Sequence, residues 1–206
     1  MRPTTTTRPW AVLLFALIFG MALPSAELAA DETEAKTFLV SLGERAIDVA
    51  KDSSASPEDK ESRIRALLKE GFDVPIIARL VLGKHWRGMD DAKRKEFLSV
   101  FEDVMVQQSL VIFGKYSGET LDVTGAGPDR SNPKLLAITT NIKRPNGAIA
   151  KVNWRLRKRG EDFKIVDIVA EGISMALTLK QEYSTVIEKS GGKVDDLIAQ
   201  LRKNAA

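Results

Sequence analysis

Residues 136–170 read LAITTNIKRPNGAIAKVNWRLRKRGEDFKIVDIVA, and this stretch decides the fold. Leu136, Ile138, Thr140 and Ile142 fall on one side, in alternation with Ala137, Thr139 and Asn141. Ala150, Val152, Trp154 and Leu156 do the same against Lys151, Asn153, Arg155 and Arg157. A period of two is the signature of a strand with one buried face. Pro145-Asn146-Gly147 separates the two runs, and Asn-Gly accepts the positive φ values of a tight hairpin turn. Gly160-Glu161-Asp162 is a second turn, after which Phe163–Val169 forms a third strand. Residues 119–125 carry a weaker strand pattern before all of these. Strands joined by such short turns pair antiparallel.

On either side of this block the period changes to that of a helix. Ala35, Phe38, Leu39, Leu42, Ala46 and Val49 fall on one face of a helix over 34–51. Ser56-Pro57-Glu58-Asp59 opens a second helix with Ile64, Leu67 and Leu68 on its buried side. Asp73 and Pro75 start a short third one, which runs through Leu82 and closes at Gly83. The longest helix begins at Asp90 or Asp91 and reaches Phe113, with Phe97, Val100, Phe101, Val104, Met105, Val111 and Ile112 as its apolar set. After Gly172, Met175, Leu179, Val186 and Ile187 make another apolar stripe, broken at Gly191-Gly192. Residues 194–202 form a last helix. Helices, then a meander, then helices is segregated α+β order, an antiparallel sheet of about four strands packed against several helices.

The first thirty residues follow different rules. Arg2 and Arg8 precede an apolar run of 14 residues, Trp10–Leu23, and small residues follow it through Ala30. This is the pattern of a cleavable export signal, with cleavage after Ala26 or Ala30 and Ala30 favoured. The alternative is an uncleaved anchor, but a spanning helix needs roughly 20 apolar residues. Residues 1–30 are therefore read as a signal peptide and 31–206 as one domain. The whole chain carries 31 basic and 28 acidic residues in mixed order, which argues against a nucleic-acid stripe.

A search for catalytic chemistry finds little. There is no Cys, which removes disulfides, thiolate nucleophiles and Cys-based metal sites. The single imidazole, His85, is either a general base or a capping and packing residue at a helix end. There is no Gly-x-Ser-x-Gly elbow, no phosphate loop and no dinucleotide turn. Asp90/Asp91 and Asp195/Asp196 sit at helix starts, where carboxylates favour the dipole. Asp167 and Glu171 lie at the end of the last strand, without the ligand cluster a metal would need. No cofactor and no metal are expected.

Two segments carry a resemblance. FDVPIIARLVLGKHWR (72–87) resembles the front motif of the MlaC family, with Phe72-Asp73, Ala78-Arg79, Leu82-Gly83 and His85-Trp86 in place and His85 where Tyr is more usual. DIVAEGIS (167–174) resembles that family's strand-to-helix motif, and the tail from Gly191 to Leu201 also fits. The resemblance spans roughly 31–203 and implies a twisted antiparallel sheet with an apolar cavity between it and the helices. It further implies a monomeric periplasmic carrier of diacyl phospholipid and no enzyme. Such a carrier moves between an outer-membrane lipoprotein–porin complex and an inner-membrane ABC transporter bearing an MCE-domain protein, which maintains outer-membrane lipid asymmetry. A hopanoid-associated or other lipid carrier of the same fold, and a secreted hydrolase using His85, are the alternatives.

Helix spacing and strand alternation nominate the lipid wall. Phe97, Phe101, Val104 and Met105 come from the long helix, Val152, Trp154, Ile165 and Val169 from the strands, and Ile173 and Met175 from the segment beyond. Lys151, Asn153, Arg155 and Arg157 point the other way, as a solvated face or as a basic docking surface.

Overall fold

The computed structural model describes residues 24–205, with side chains from 28 onward. The apolar run of the expected export signal lies outside the described residues. Seven helices and five strands follow in the order α1 (Pro24–Lys51), α2 (Pro57–Gly71), α3 (Val74–Leu82), α4 (Lys84–Arg87), α5 (Asp91–Phe113), β1 (Thr120–Pro128), β2 (Leu136–Lys143), β3 (Ile149–Arg159), β4 (Asp162–Ala170), β5 (Ile173–Ser174), α6 (Met175–Lys189) and α7 (Val194–Ala205). The fold is α+β, as predicted.

Helix starts are fixed by local chemistry. The Ser56 hydroxyl accepts the Asp59 N–H at 3.1 Å, the Asp73 carboxylate accepts Ile76 N–H at 3.3 Å, and Asp90 accepts Lys93 N–H at 2.7 Å. Each satisfies a donor that the first helical turn leaves without a partner. Helix α1 begins at Pro24 rather than at residue 34. Its extra turns are built from Ala, Glu and Leu, which are strong helix formers whatever their burial.

The sheet is one antiparallel meander in the order β1-β2-β3-β4-β5. The β2–β3 hairpin turns at Asn146-Gly147, where Gly147 has φ +84° and the Asn146 side chain accepts the Ala148 N–H at 3.0 Å. Two bulges interrupt the ladder, one between Val123 and Gly125 and one opposite Arg155/Leu156. In the second, Arg155 pairs with Asp167 and Leu156 with Ile165, so Val166 is the extra residue. A bulge flips the side-chain alternation on either side of it.

Apolar packing divides into clusters. Helices α1 and α2 cover one face of the sheet, where Ala35, Leu39 and Leu42 meet Ile138, Leu156, Phe163 and Ile165. Val49, Ile64, Leu68 and Val106 join α1, α2 and α5. The third cluster is helical. Phe97, Phe101 and Val104 of α5 pack with α3, with Ala176, Tyr183 and Ile187 of α6, and with Leu197, Ile198 and Leu201 of α7.

Candidate functional site

A cavity of about 560 Å³ lies between the sheet and the helices α1, α2 and the end of α5. Its helical wall comprises Leu39, Leu42, Gly43, Ala46 and Ile47 of α1 with Ile64, Leu67 and Leu68 of α2. Phe72, Ile112 and Phe113 add apolar surface, and the sheet contributes Leu121, Ile142, Ala150, Trp154 and Ile168. The polar lining is confined to few residues, among them Lys115, Tyr116, Glu119, Thr120 and Arg144. Of the lining residues, Ile112, Lys115, Thr120 and Arg144 are exposed, which marks the open end. A cavity of this size with aliphatic walls and polar groups at one end falls in the ~300–1,000 Å³ range of small-molecule sites.

The wall is built by pairing across strands. Leu121 of β1 lies opposite Ile142 of β2, and Ile142 opposite Ala150 of β3. Trp154 lies opposite Ile168 of β4. Directly opposed residues share a face, so one side of four strands presents a continuous apolar surface. The Trp154 indole Nε1 donates to the buried Thr140 hydroxyl at 2.9 Å, which satisfies its one polar atom and fixes the ring.

Of the ten residues nominated from sequence, Trp154 lines this cavity. Phe97 and Phe101 stack on each other with centroids 5.6 Å apart, and Tyr183 meets both edge-on at 6.4 Å. With Val104 and Met105 they belong to the helical cluster. A helix of 23 residues extends roughly 1.5 Å per residue, so its two ends meet different neighbours. Only Ser109, Ile112 and Phe113 from its last turns reach the cavity. Ile165 packs with α1 and the sheet core, while Val152 is buried on β3 without lining the cavity.

Ile165 and Val169 do not share a face. The bulge at Val166 leaves Ile165 opposite Leu156 on the cavity side and puts Val169 opposite Asn153 on the other. Ile168 lies opposite Trp154, where an unbroken ladder from Ile165 would have put Asp167, and Ala170 takes the place opposite Val152 that it would have given to Val169. Ile173 and Met175 are 62% and 47% exposed at the β5–α6 junction, away from the lining. The α1 and α2 residues that do line the cavity were legible as apolar helix faces; nothing in their spacing said what they faced.

On the polar face of β3, Arg155, Arg157 and Asn153 are engaged by neighbouring side chains. Arg155 Nε and Nη1 donate to Asp129 at 3.0 Å and Asp167 at 2.9 Å, and Nη2 reaches the Ser131 hydroxyl at 3.0 Å. Arg157 pairs at 3.3 Å with the buried Asp73, which also caps α3. Asn153 accepts from the Thr139 hydroxyl at 2.7 Å. The Lys151 backbone N–H donates to Glu171 at 2.6 Å, and the residue itself is exposed.

The segment 167–174 is structural in the same way. Glu171 and Gly172 have φ values of +50° and +82° and form a two-residue turn between β4 and β5. Asp167 accepts from the Ser174 hydroxyl at 2.6 Å and from Ala176 N–H at 3.0 Å, while Ser174 caps α6 through Leu177 N–H at 3.1 Å. No group of three or more metal-ligating side chains occurs among the described residues. His85 Nε2 is buried with no hydrogen-bond partner among them, so that nitrogen is aligned with neither a hydroxyl nor a carboxylate.

Three matches to known proteins describe the relationship. The Haemophilus influenzae protein "Intermembrane phospholipid transport system binding protein MlaC" is 22% identical over 129 residues, covering 61% of this chain. The match spans 59% of that relative's length. A solved structure of a phospholipid-binding protein from Ralstonia solanacearum, in complex with a phospholipid, superposes with a TM-score of 0.68 at 15% identity. That superposition covers 84% of this chain and 96% of the other, and shows a shared fold. The model of the MlaC protein family matches residues 41–203, from the middle of α1 almost to the end of α7, and with that span the chain belongs to the MlaC family.

Proposed function

We propose that this protein is a periplasmic phospholipid carrier, made with the signal peptide 1–30 and working as the single domain 31–206. The observation that carries the reading is the cavity, whose walls are aliphatic and aromatic and whose polar groups gather at one end. Each CH₂ moved from water into such surroundings gains about 0.8 kcal/mol, so an acyl chain is held without any directional contact. The head group stays at the open end, in water. Membership of the MlaC family and the likeness to a phospholipid-bound fold support the same cargo.

The carrier works as a monomer. It shuttles between an outer-membrane lipoprotein–porin complex and an inner-membrane MCE-domain ABC transporter, and this traffic maintains outer-membrane lipid asymmetry. It has no catalytic role: the lone imidazole stands in a four-residue helix outside the cavity. No helix among the described residues is long and apolar enough to cross a membrane.

Native mass spectrometry of protein purified from the periplasm tests the cargo. A bound mass of diacyl phospholipid is expected. Protein that arrives without lipid and takes none from phospholipid vesicles refutes the reading.

A further inference from the structure

The open end of the cavity has a charge pattern that its apolar walls do not require. The turn after α5 and the tip of the β2–β3 hairpin meet there, with Gly118 packed close to the Pro145 ring. Lys115 comes from the first of these loops and Arg144 from the second, and both side chains line the cavity. Lys143 beside Arg144 is held in an ion pair with Asp122, but neither Lys115 nor Arg144 forms one among the described residues. The single carboxylate of the lining, Glu119, accepts the Ser117 N–H at 2.8 Å and the Ser117 hydroxyl at 3.1 Å, and it feels the charge of Arg144 without forming an ion pair with it. A third cation, Lys51, lies 5.8 Å from the centre of the Tyr116 ring, which also lines the cavity. Cations therefore outnumber carboxylates at the place where a buried chain must emerge into water.

We infer that Lys115 and Arg144 form a phosphate-binding rim, which selects a phosphate-bearing lipid over a neutral lipid with the same acyl chains. The inference rests on the carrier reading above and names the class of head group. A phosphodiester one glycerol unit above the chains comes to the rim as the chains enter the cavity. Arginine offers it a planar fork of donors and lysine a mobile point charge. A diacylglycerol or a neutral polycyclic lipid fills the same walls but brings no anion to either cation.

The test compares wild type with the double variants Lys115→Ala/Arg144→Ala and Lys115→Glu/Arg144→Glu. Each is loaded from cyclodextrin, in separate arms, with phosphatidylglycerol and with diacylglycerol of identical chains. Both positions are exposed, and circular dichroism checks that the fold survives. Removing two exposed cations together should lower phosphatidylglycerol affinity about tenfold in the alanine pair, and further in the glutamate pair. Diacylglycerol loading stays as in wild type.

An unchanged phosphatidylglycerol-to-diacylglycerol ratio in both variants overturns the rim. A loss seen with vesicle-delivered lipid but not with cyclodextrin also overturns it, because the cations then serve to approach a membrane surface. Inorganic phosphate that binds the lipid-free protein as tightly as the phospholipid does overturns it as well. If wild type loads neither lipid, the carrier reading itself fails.

Discussion

Arg155 Nη1 stands 2.9 Å from Asp167 Oδ2, on neighbouring strands and directly opposite in register. The same guanidinium holds Asp129 at 3.0 Å, and both carboxylates are almost fully buried. Asp167 in turn accepts from Ser174 and Ala176, so one arginine ties the loop after β1 to the start of α6. The alternation that made Arg155 a candidate for docking gave its direction correctly; the carboxylates that meet it there make it a structural residue.

Removing this arginine leaves two buried carboxylates without their cation. Arg155→Ala is expected to lower unfolding free energy by roughly 2–4 kcal/mol, a little under the ~3–5 kcal/mol for a fully buried pair because the guanidinium is partly exposed. Urea denaturation measures it, and a loss below about 0.5 kcal/mol sets the network aside. Burial alone would raise the Asp129 carboxyl, but hydrogen bonds from Ser131, Arg155 and Asn132 outweigh it and hold it below its ordinary value. A depressed carboxyl stabilises the fold above the unfolded value of ~3.9, and that stability is lost as pH falls through the folded value. Asp129→Asn should therefore flatten the acid limb of the stability profile below about pH 4.

Phe97 and Trp154 separate the two apolar regions experimentally. Phe97 is fully buried among helices, and Phe97→Ala should cost about 3–5 kcal/mol of stability. Where the variant still folds, it should load lipid as wild type does. Trp154→Arg places an unpaired charge on the cavity wall and should depress lipid loading about tenfold or more. Equal loading by folded Trp154→Arg protein removes the cavity from the mechanism.

Gly43 offers a way to fill the cavity without breaking anything. It lines the cavity from α1, and a Cβ there would meet Leu121 Cδ1 at an ordinary 3.7 Å. Gly43→Leu extends a side chain toward β1 and replaces a poor helix former, which is worth up to about 1 kcal/mol in the helix. Loading should fall while stability holds or rises. A variant that gains stability and carries a full complement of lipid shows that the acyl chains lie elsewhere.

Tyr183 predicts an alkaline limit. Burial among Phe97 and Phe101, with Glu182 adding to it, pushes its phenol up to about 12 from 10.0. A raised value means that the folded state keeps the proton longer than the unfolded one. The contribution is fully present below pH 10 and is lost as pH rises toward 12. Tyr183→Phe should show a weaker fall in stability across that interval. A fall as steep as that of wild type assigns the transition to other groups.

The sequence by itself determined what depends on neighbours along the chain. Ser56, Asp73 and Asp90 cap the helices they were expected to cap, and Asn146-Gly147 turns the hairpin. The alternation of β2 and β3 placed Trp154 on the buried face. These outcomes follow from backbone donors, φ preferences and strand period, all of which act over a few residues. Tertiary structure decided which apolar face meets which. The stripe of α5 carries the same residue types whether it packs on the sheet or on α6, and the packing chose α6 for Phe97 and Phe101. A single extra residue, Val166, moved Ile168 to the cavity and Val169 away from it. Asp129 reached Arg155 from 26 residues away. Hydrophobic burial is non-directional, so the pattern of a helix or strand fixes which side is covered but not by what; that choice is made where all the elements compete for the same space.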